Sequence, residues 1–375
     1  RWKRVTGVQT CALPICFPWL ALGYTQLDTP LAGIAPVLGV YGISLFVMVS
    51  AGALAAFVLT PGRLRLVALS IAILPWLAGA ALQGREWTQE SGGPVNVAIV
   101  QGAVRQEMKW SIDQRDRTLA LYRRLTEPHL GAQIILWPEA ALPDLAHVLV
   151  DYLQTLWRDS RAAGSDVVMG LLHQDPETAK VYNGVLALGQ EAQWYDKRRL
   201  VPFGEYFPVP AFVRQWLKVM NLPYSDISAG ADGQPALRVA GQLLGVTICY
   251  EDAYGSKQLD VLREATLLVN VTNDAWFGDS TAPHQHLEIS RMRALEAGRP
   301  LMRGANDGIT ALIAHDGTVT STLPQFEPGV LAGSVQPRTG LTPYAQVGNW
   351  PVQLVCFVLV VAVAGVHRLR RHRRV

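Results

Sequence analysis

A glutamate, a lysine and a cysteine stand at well-separated places in a chain of 375 residues. Glu139 follows the apolar run 134–137 and a proline, Cys249 follows the largely apolar run 243–248, and Lys197 lies between them in sequence. A carboxylate can take the proton of a thiol, a thiolate can attack a carbonyl carbon, and an ammonium group can stabilise the resulting oxyanion. If the fold brings three such strand ends together, these residues predict acyl-transfer chemistry.

Each of these residues also has a plainer interpretation. A carboxylate that follows four apolar residues and a proline is poorly explained as part of a solvated face. A desolvated carboxylate has the raised pKa that suits a general base. Cys249 could equally be a buried structural cysteine, and Lys197 alone would be an ordinary surface cation. His284 and His286 are two residues apart on a predicted helix and would point to different faces, so no metal site is expected.

Short apolar runs alternate with helical patterns through the middle of the chain. Such alternation predicts an α/β domain in which sheets are covered by helices. The predicted strands are 95–100, 133–137, 166–171, 181–188, 243–248, 266–271 and 308–314, and the predicted helices are 112–127, 145–163 and 284–297.

Charged residues are scarce, and their absence is concentrated. The chain is 50% hydrophobic and 17% charged, whereas soluble domains carry about 25% charged residues. Residues 29–62, 66–83 and 341–366 contain no charge, and runs of this length can cross a bilayer. The predicted organisation is a leader at 1–16, a membrane region at 17–90 with helices at about 33–59 and 65–83, an extracytoplasmic domain at 91–340, a transmembrane helix at 341–367 and a basic tail at 368–375.

Basic residues predict the direction of these helices. Five arginines follow Val366, and the short link between the first two apolar runs carries Arg63 and Arg65. Because basic residues mark the cytoplasmic side, both clusters are expected inside and the domain at 91–340 outside. The tail adjoins a membrane helix and lacks interleaved aromatic residues, so no nucleic-acid partner is expected.

The first residues resemble something other than a protein segment. Residues 4–15 are similar to a translated sequencing adapter, and the chain does not begin with methionine. We therefore expect the natural sequence to begin near Phe17, with further membrane helices upstream of it.

Three motifs carry a resemblance to a known family. The segments WPEAALP (137–143), YDKRRLVPFGEYFP (195–208) and GVTICYEDAYG (245–255) are similar to the Glu, Lys and Cys motifs of the nitrilase (carbon–nitrogen hydrolase) superfamily. Together with FPWLALGYTQ, LAGIAPVLGVYG and residues 270–300, they resemble its membrane-embedded branch, the apolipoprotein N-acyltransferases. The resemblance implies a nitrilase-like α-β-β-α sandwich inserted between transmembrane helices. It also predicts N-terminal truncation, since that branch carries several further membrane helices.

The resemblance implies a role for individual residues. Glu139 corresponds to the general base, Lys197 to the oxyanion stabiliser and Cys249 to the nucleophile. Supporting roles are implied for Glu205, for Glu251 and for the peptide N–H of Tyr250. The expected substrate pocket consists of Trp137, Asn273, Asp274, Trp276 and Phe277, although Trp137 could also be buried core and residues 273–278 a surface turn.

The resemblance further implies a reaction, its partners and its place. An acyl chain, expected to be the sn-1 chain of phosphatidylethanolamine, would pass through a Cys249 thioester to the α-amine of diacylglyceryl-cysteine in an apolipoprotein. No cofactor is expected, because the donor arrives as an ester. The location implied is the bacterial inner membrane, crossed several times, with the catalytic domain periplasmic and the C-terminus cytoplasmic. Two alternatives remain: a membrane-tethered amidase or nitrilase using the same triad, and a non-catalytic envelope scaffold.

Overall fold

The chain divides into two compact units in the computed structural model, which describes residues 18–105, 109, 112–206, 209 and 227–372. The larger unit comprises Gln89–Ala294 and Arg299–Thr339, and the smaller unit comprises the other described residues. The predicted leader at 1–16 and the last tail residues, 373–375, lie outside the described residues. In chain order the helices are α1 (Ala35–Leu59), α2 (Leu64–Leu82), α3 (Ile112–Thr126), α4 (Val150–Ala162), α5 (Ala282–Ala297), α6 (Pro343–Val347) and α7 (Trp350–His372).

The larger unit contains two six-stranded sheets of mixed direction. The strands are β1 (Gln89–Glu90), β2 (Val95–Gln101), β3 (Ile134–Trp137), β4 (Asp166–Gln174), β5 (Val181–Leu188), β6 (Ala192–Asp196), β7 (Leu237–Val239), β8 (Gln242–Ile248), β9 (Leu267–Thr272), β10 (Leu301–Ala305), β11 (Ala311–Ile313), β12 (Val319–Thr322), β13 (Gly329–Val335) and β14 (Arg338–Thr339). The sheet orders are β13-β2-β3-β4-β5-β6 and β12-β11-β10-β9-β8-β7, and β1 pairs with β14. Strands β2, β3 and β4 are parallel to one another, as are β8, β9 and β10.

Both faces of the first sheet are buried, which explains its continuous apolar runs. Along β2, Val97 and Ile99 pack into the core between the two sheets, whereas Ala98 and Val100 belong to a second core. That second core contains residues of α3 and α4, such as Tyr122. A strand covered on both faces reads as an unbroken hydrophobic run instead of an alternating one.

Helix α5 covers the outer face of the second sheet. Its Ser290 accepts a hydrogen bond from Arg303 of β10 at 3.0 Å. The layers are therefore helix, sheet, sheet and helix, and the α-β-β-α fold expected from the sequence is confirmed.

The sequence did not predict strand β10, because a charged residue interrupts its apolar run. Arg303 lies in the middle of this strand and is fully buried. Its guanidinium is paired with Asp274 at 2.8 Å, so the buried charge is neutralised by a partner that is remote in sequence. The sequence also did not predict β1, β6, β7, β12, β13 and β14. Among these, the short β12 is largely exposed and shows no apolar periodicity.

The smaller unit contains the apolar helices. Among the described residues, the helical segments Pro30–Leu59 and Leu64–Leu82 are long and apolar enough to cross a membrane, while the apolar part of α7, Trp350–Gly365, is shorter. The first segment is kinked at Gly39, whose φ is +66°. A Cβ atom at Gly39 would lie 2.4 Å from the ring of Tyr344, so only glycine fits this close approach.

The C-terminal helix begins later than the sequence predicted. The uncharged run starts at residue 341, but the side chain of Thr342 caps the separate short helix α6 by accepting the N–H of Ala345 at 3.0 Å. The long helix α7 then starts at Trp350. The absence of charge therefore extends over two helical segments and the turn between them.

Candidate active site

The larger unit brings Glu139, Lys197 and Cys249 together. They follow β3, β6 and β8 respectively. Strand β4 runs parallel to β3, and β5 is antiparallel to both β4 and β6, so β3 and β6 end at the same edge of the first sheet. The Lys197 ammonium lies 3.0 Å from Oε1 of Glu139, and the Cys249 thiol interacts electrostatically with both groups.

Lys197 is held between two carboxylates in a buried polar cluster. Its Nζ donates to Oε1 of Glu139 at 3.0 Å and to Oε1 of Glu205 at 2.8 Å. The Nδ2 amide of Asn183 donates to the same two oxygens, at 2.7 and 3.0 Å. Burial lowers the pKa of Lys197, which is 1% exposed, but the carboxylates of Glu139 and Glu205 outweigh burial and raise that pKa well above its ordinary value. The lysine is therefore a fixed cation and not a surface residue.

Glu139 is fixed at its other atoms by two further groups. Its Oε2 accepts the backbone N–H of Asn273 at 2.9 Å. Its backbone carbonyl accepts from Nζ of Lys109 at 3.3 Å. Burial lowers the pKa of Lys109 to about 8, although Glu139 and Asp307 act in the opposite direction. The carboxylate is thus oriented by groups from distant segments of the chain.

Sequence reasoning missed Asn183 and Lys109. Asn183 carries one signal, since it is a polar residue inside the apolar strand β5. Lys109 carries none, because a lysine beside a helical pattern is ordinarily solvated.

Cys249 has an unusual backbone conformation and a thiol whose pKa is raised. Its φ is +53°, and the residue as a whole is half-buried. Withdrawal of the thiol from water and the nearby Glu139 carboxylate raise its pKa, while Lys197 partly offsets them. A thiol with a raised pKa needs a base to become a nucleophile. Positive φ values also occur at Ala140, the residue after Glu139, and at Phe203, two residues before Glu205. Such backbone strain is typical of functional sites.

Glu251 connects the nucleophile segment to the lysine segment. Its Oε1 accepts the N–H groups of Arg198 and Arg199 at 2.7 and 2.9 Å, and its Oε2 accepts the Ile248 N–H at 2.9 Å and the Tyr195 hydroxyl at 3.1 Å. Burial raises the pKa of Glu251, and the donated backbone hydrogen bonds act against that rise. Four donors on one carboxylate indicate a structural tie between the two segments.

Tyr250 also borders the cluster. The Lys197 ammonium lies 5.7 Å from the centre of the Tyr250 ring, and the hydroxyl donates to the carbonyl of Leu200 at 2.5 Å. This contact anchors the tyrosine to the segment that follows Lys197.

Two of the predicted pocket residues, Trp137 and Asp274, are buried. Trp137 is 0% exposed and lies in the core beneath α3, where its Nε1 donates to Thr126 at 3.1 Å. The structure therefore does not bring Trp137 into the site, because it points to the helix-covered face of β3. Asp274 is buried between His286 and Arg303, and these cations overcome the effect of burial to lower its pKa to about 2.

The remaining predicted pocket residues lie nearer to the surface or contact the base. Asn273 contributes its backbone N–H to Glu139, and its side-chain oxygen accepts from Asn306 at 3.1 Å. Trp276 is 68% exposed and Phe277 is half-buried. The exposed indole of Trp276 therefore presents apolar surface to the surroundings, three residues after Asn273.

The chain is similar in sequence to one family along most of its length. A model of the carbon-nitrogen hydrolases matches residues 96–344, and a model of the apolipoprotein N-acyltransferase N-terminal domain matches residues 7–53. The apolipoprotein N-acyltransferase of Methylococcus capsulatus is 40% identical over 358 residues, which cover 95% of this chain and 70% of the relative. That of Pseudomonas syringae is 40% identical over 348 residues, covering 92% and 69%.

A solved structure supports the fold of the larger unit. The NitFhit protein of C. elegans superposes with a TM-score of 0.52 at 16% identity, over 66% of this chain and 61% of that one. At this identity the likeness concerns the fold alone.

Proposed function

Because the chain belongs to the apolipoprotein N-acyltransferases of the carbon-nitrogen hydrolase family, we propose that Cys249 carries an acyl group as a thioester between two lipid substrates. The protein is a membrane acyltransferase that N-acylates lipoproteins. The observation that carries the proposed mechanism is the convergence of a thiol, a fixed cation and an oriented carboxylate in one cluster.

Acylation of the enzyme begins with the base. The Glu139 carboxylate takes the Cys249 proton, and Sγ attacks the carbonyl carbon of a phospholipid acyl ester, forming an S–C bond. The Lys197 ammonium stabilises the oxyanion that develops. The ester C–O bond then breaks, and the leaving alkoxide takes the proton from Glu139, so that a lysophospholipid departs and the thioester remains.

Transfer to the apolipoprotein repeats these steps with an amine as the nucleophile. The α-amine of diacylglyceryl-cysteine attacks the thioester carbonyl, and Glu139 accepts the amine proton. The C–S bond breaks, and the proton passes to the Cys249 thiolate. An amide forms and the enzyme returns to its starting state, so no other reactant is consumed.

We further propose the donor and the side of the membrane. The donor is phosphatidylethanolamine, reacting at its sn-1 chain, and the catalytic unit faces the periplasm while the C-terminus is cytoplasmic. The basic link and the basic tail support this orientation. The exposed Trp276 supports contact with lipid, because an aromatic ring with a polar edge suits a membrane interface.

The full chain reconstituted in vesicles tests the thioester. Phosphatidylethanolamine labelled in the sn-1 chain should place a hydroxylamine-sensitive label on the wild-type chain, and addition of a diacylglyceryl-cysteine peptide should move that label into an amide. Cys249→Ala should abolish both signals. Cys356→Ala, which removes an exposed cysteine of α7, is the matched control and should leave both unchanged.

Each other outcome contradicts a part of the proposal. A label that persists in Cys249→Ala would exclude Cys249 as the nucleophile. Release of free fatty acid in place of transfer to the peptide would favour a hydrolase. Labelled phosphatidylglycerol that reacts faster than phosphatidylethanolamine would overturn the proposed donor.

A further inference from the structure

The strained peptide of the nucleophile is held by two side-chain donors. The carbonyl oxygen of Cys249 accepts from Nδ2 of Asn270 at 3.0 Å and lies 3.2 Å from Nε2 of His286. Cys249 has φ +53°, a region that non-glycine residues rarely adopt. Such a conformation persists only when the surroundings enforce it. Both side chains therefore contact the carbonyl oxygen of the peptide group that joins Cys249 to Tyr250.

His286 is surrounded by acceptors at both ring nitrogens. Its Nδ1 lies 2.9 Å from Oδ1 of Asp274, and its Nε2 lies 3.2 Å from Oδ1 of Asp252 as well as near the Cys249 carbonyl. A neutral imidazole would turn a lone pair toward one of these oxygens. The geometry therefore favours a proton on each nitrogen, that is, an imidazolium cation at His286.

The electrostatics agree with that assignment. Burial and the nearby Arg303 lower the pKa of His286, but the carboxylates of Asp252 and Asp274 outweigh both and raise it to about 9. Since Arg303 also binds Asp274 at 2.8 Å, two cations balance two carboxylates in a fully buried cluster. Ser290, on the same helix as His286, donates to Oδ2 of Asp252 at 2.6 Å.

A buried ion network of this kind stabilises a fold little more than apolar packing would. It does, however, fix directions, because each hydrogen bond in it has a defined geometry. Asn270 belongs to the same network, since its Oδ1 accepts from Arg303 at 2.6 Å. Both donors to the Cys249 carbonyl are thus oriented by charges outside the catalytic cluster.

We propose that His286 is a positioning residue for the acyl-transfer reaction: it holds the Cys249 carbonyl, and through it the orientation of Sγ toward the acyl carbon. The inference rests on the proposed thioester chemistry and extends it to helix α5. The imidazole acts through the peptide of the nucleophile and exchanges no proton with substrate.

His286→Gln in the full chain tests the positioning. Glutamine keeps one donor but loses the charge and the second donor, so the nucleophile turn should relax. We expect kcat for thioester formation to fall by about a hundredfold, because small misplacements of reacting groups have effects of that size, while KM for phospholipid stays unchanged. His284→Gln, two residues earlier on α5 and exposed, is the matched control and should react as the wild type does.

Asn270→Asp tests the same carbonyl independently. It replaces the donor with a carboxylate oxygen but keeps the acceptor for Arg303, and thioester formation should fall to a similar extent. Wild-type kcat in either folded variant would overturn the proposal, as would a rise in KM at constant kcat. If neither variant folds, the network is required for stability instead of positioning, and the proposal is rejected.

Iodoacetamide distinguishes this inference from the proposed function. Its reaction with Cys249 needs no lipid, so the alkylation rate should fall about tenfold in both variants even if the chain transfers no acyl group. Unchanged alkylation in folded variants would overturn the positioning role alone. Absence of the thioester in the wild-type chain would overturn the proposed function alone.

Discussion

The carboxylate of Glu139 is oriented by groups that are remote from it in sequence. Three hydrogen bonds reach its carboxylate, from Lys197, Asn183 and the backbone of Asn273. None of these donors lies within forty residues of Glu139 in sequence, so the motif around it does not orient it. The tertiary structure therefore orients the carboxylate, whose charge helps to raise the pKa of the Cys249 thiol.

Replacing the base should change the rate and its dependence on pH. In Glu139→Gln the side chain cannot accept the thiol proton, so we expect thioester formation at pH 7 to fall by about 10²- to 10⁴-fold. Because the Cys249 pKa is raised, the remaining rate should increase with pH as the thiolate fraction grows. Single-turnover labelling between pH 6 and pH 10 measures both effects. Glu191→Gln, an exposed substitution, should follow the wild-type profile; a wild-type rate for Glu139→Gln would contradict the role of the base.

At the scale of elements, strand β4 supports the turn that carries the base. The N–H of Gly170 donates to the Pro138 carbonyl at 3.1 Å, and the Gly170 carbonyl accepts the Ala141 N–H at 2.8 Å. A Cβ atom at Gly170 would lie 2.5 Å from Cα of Glu139. The strained residue Ala140, with φ +44°, is held between these contacts. The close approach of two backbones therefore determines where Glu139 points.

Gly170→Ala should displace this turn. The added methyl would meet backbone atoms that cannot yield as a flexible side chain does, so we expect a loss of about 1–3 kcal/mol in stability and a fall in kcat. Thermal unfolding and thioester formation measure the two effects. Gly304→Ala on β10 is the matched control, since its Cβ would have ordinary contacts of 3.4 Å. Equal behaviour of the two variants would contradict the supporting role of Gly170.

At the scale of the whole molecule, the chain combines a two-sheet unit with a unit of apolar helices. The smaller unit exposes large apolar side chains such as Leu59, Leu74 and Phe357. Such surfaces suit a lipid environment, in agreement with membership of a membrane-protein family. The basic link and the basic tail predict which way the helices run.

Protease protection in sealed vesicles tests that orientation. In inverted inner-membrane vesicles, added protease should remove a tag placed after the C-terminal tail, while the catalytic unit stays protected inside. In spheroplasts the tag should be protected and the catalytic unit accessible. The reason is that translocating the arginine-rich segments would be unfavourable. The opposite pattern in either preparation would contradict the proposed sidedness.

The sequence alone determined the fold class, the family and the acyltransferase function, all of which are confirmed. Local patterns were sufficient because strands buried on both faces are unbroken apolar runs, and because Glu139, Lys197 and Cys249 lie in recognisable motifs. The same patterns predicted charge-free helices, since charge is costly in lipid and its absence is visible in a single sequence.

Only the tertiary structure decided the surroundings of those residues. Asn183 and Lys109 reach Glu139 from remote segments, and Trp137 points away from the site although its neighbour in the motif is the base. The fold also places two aspartates and the Cys249 carbonyl around the ring of His286, from positions 12 to 37 residues away in sequence. The physical reason is that hydrogen bonds and ion pairs depend on distance in space, whereas motifs and periodicity describe distance along the chain.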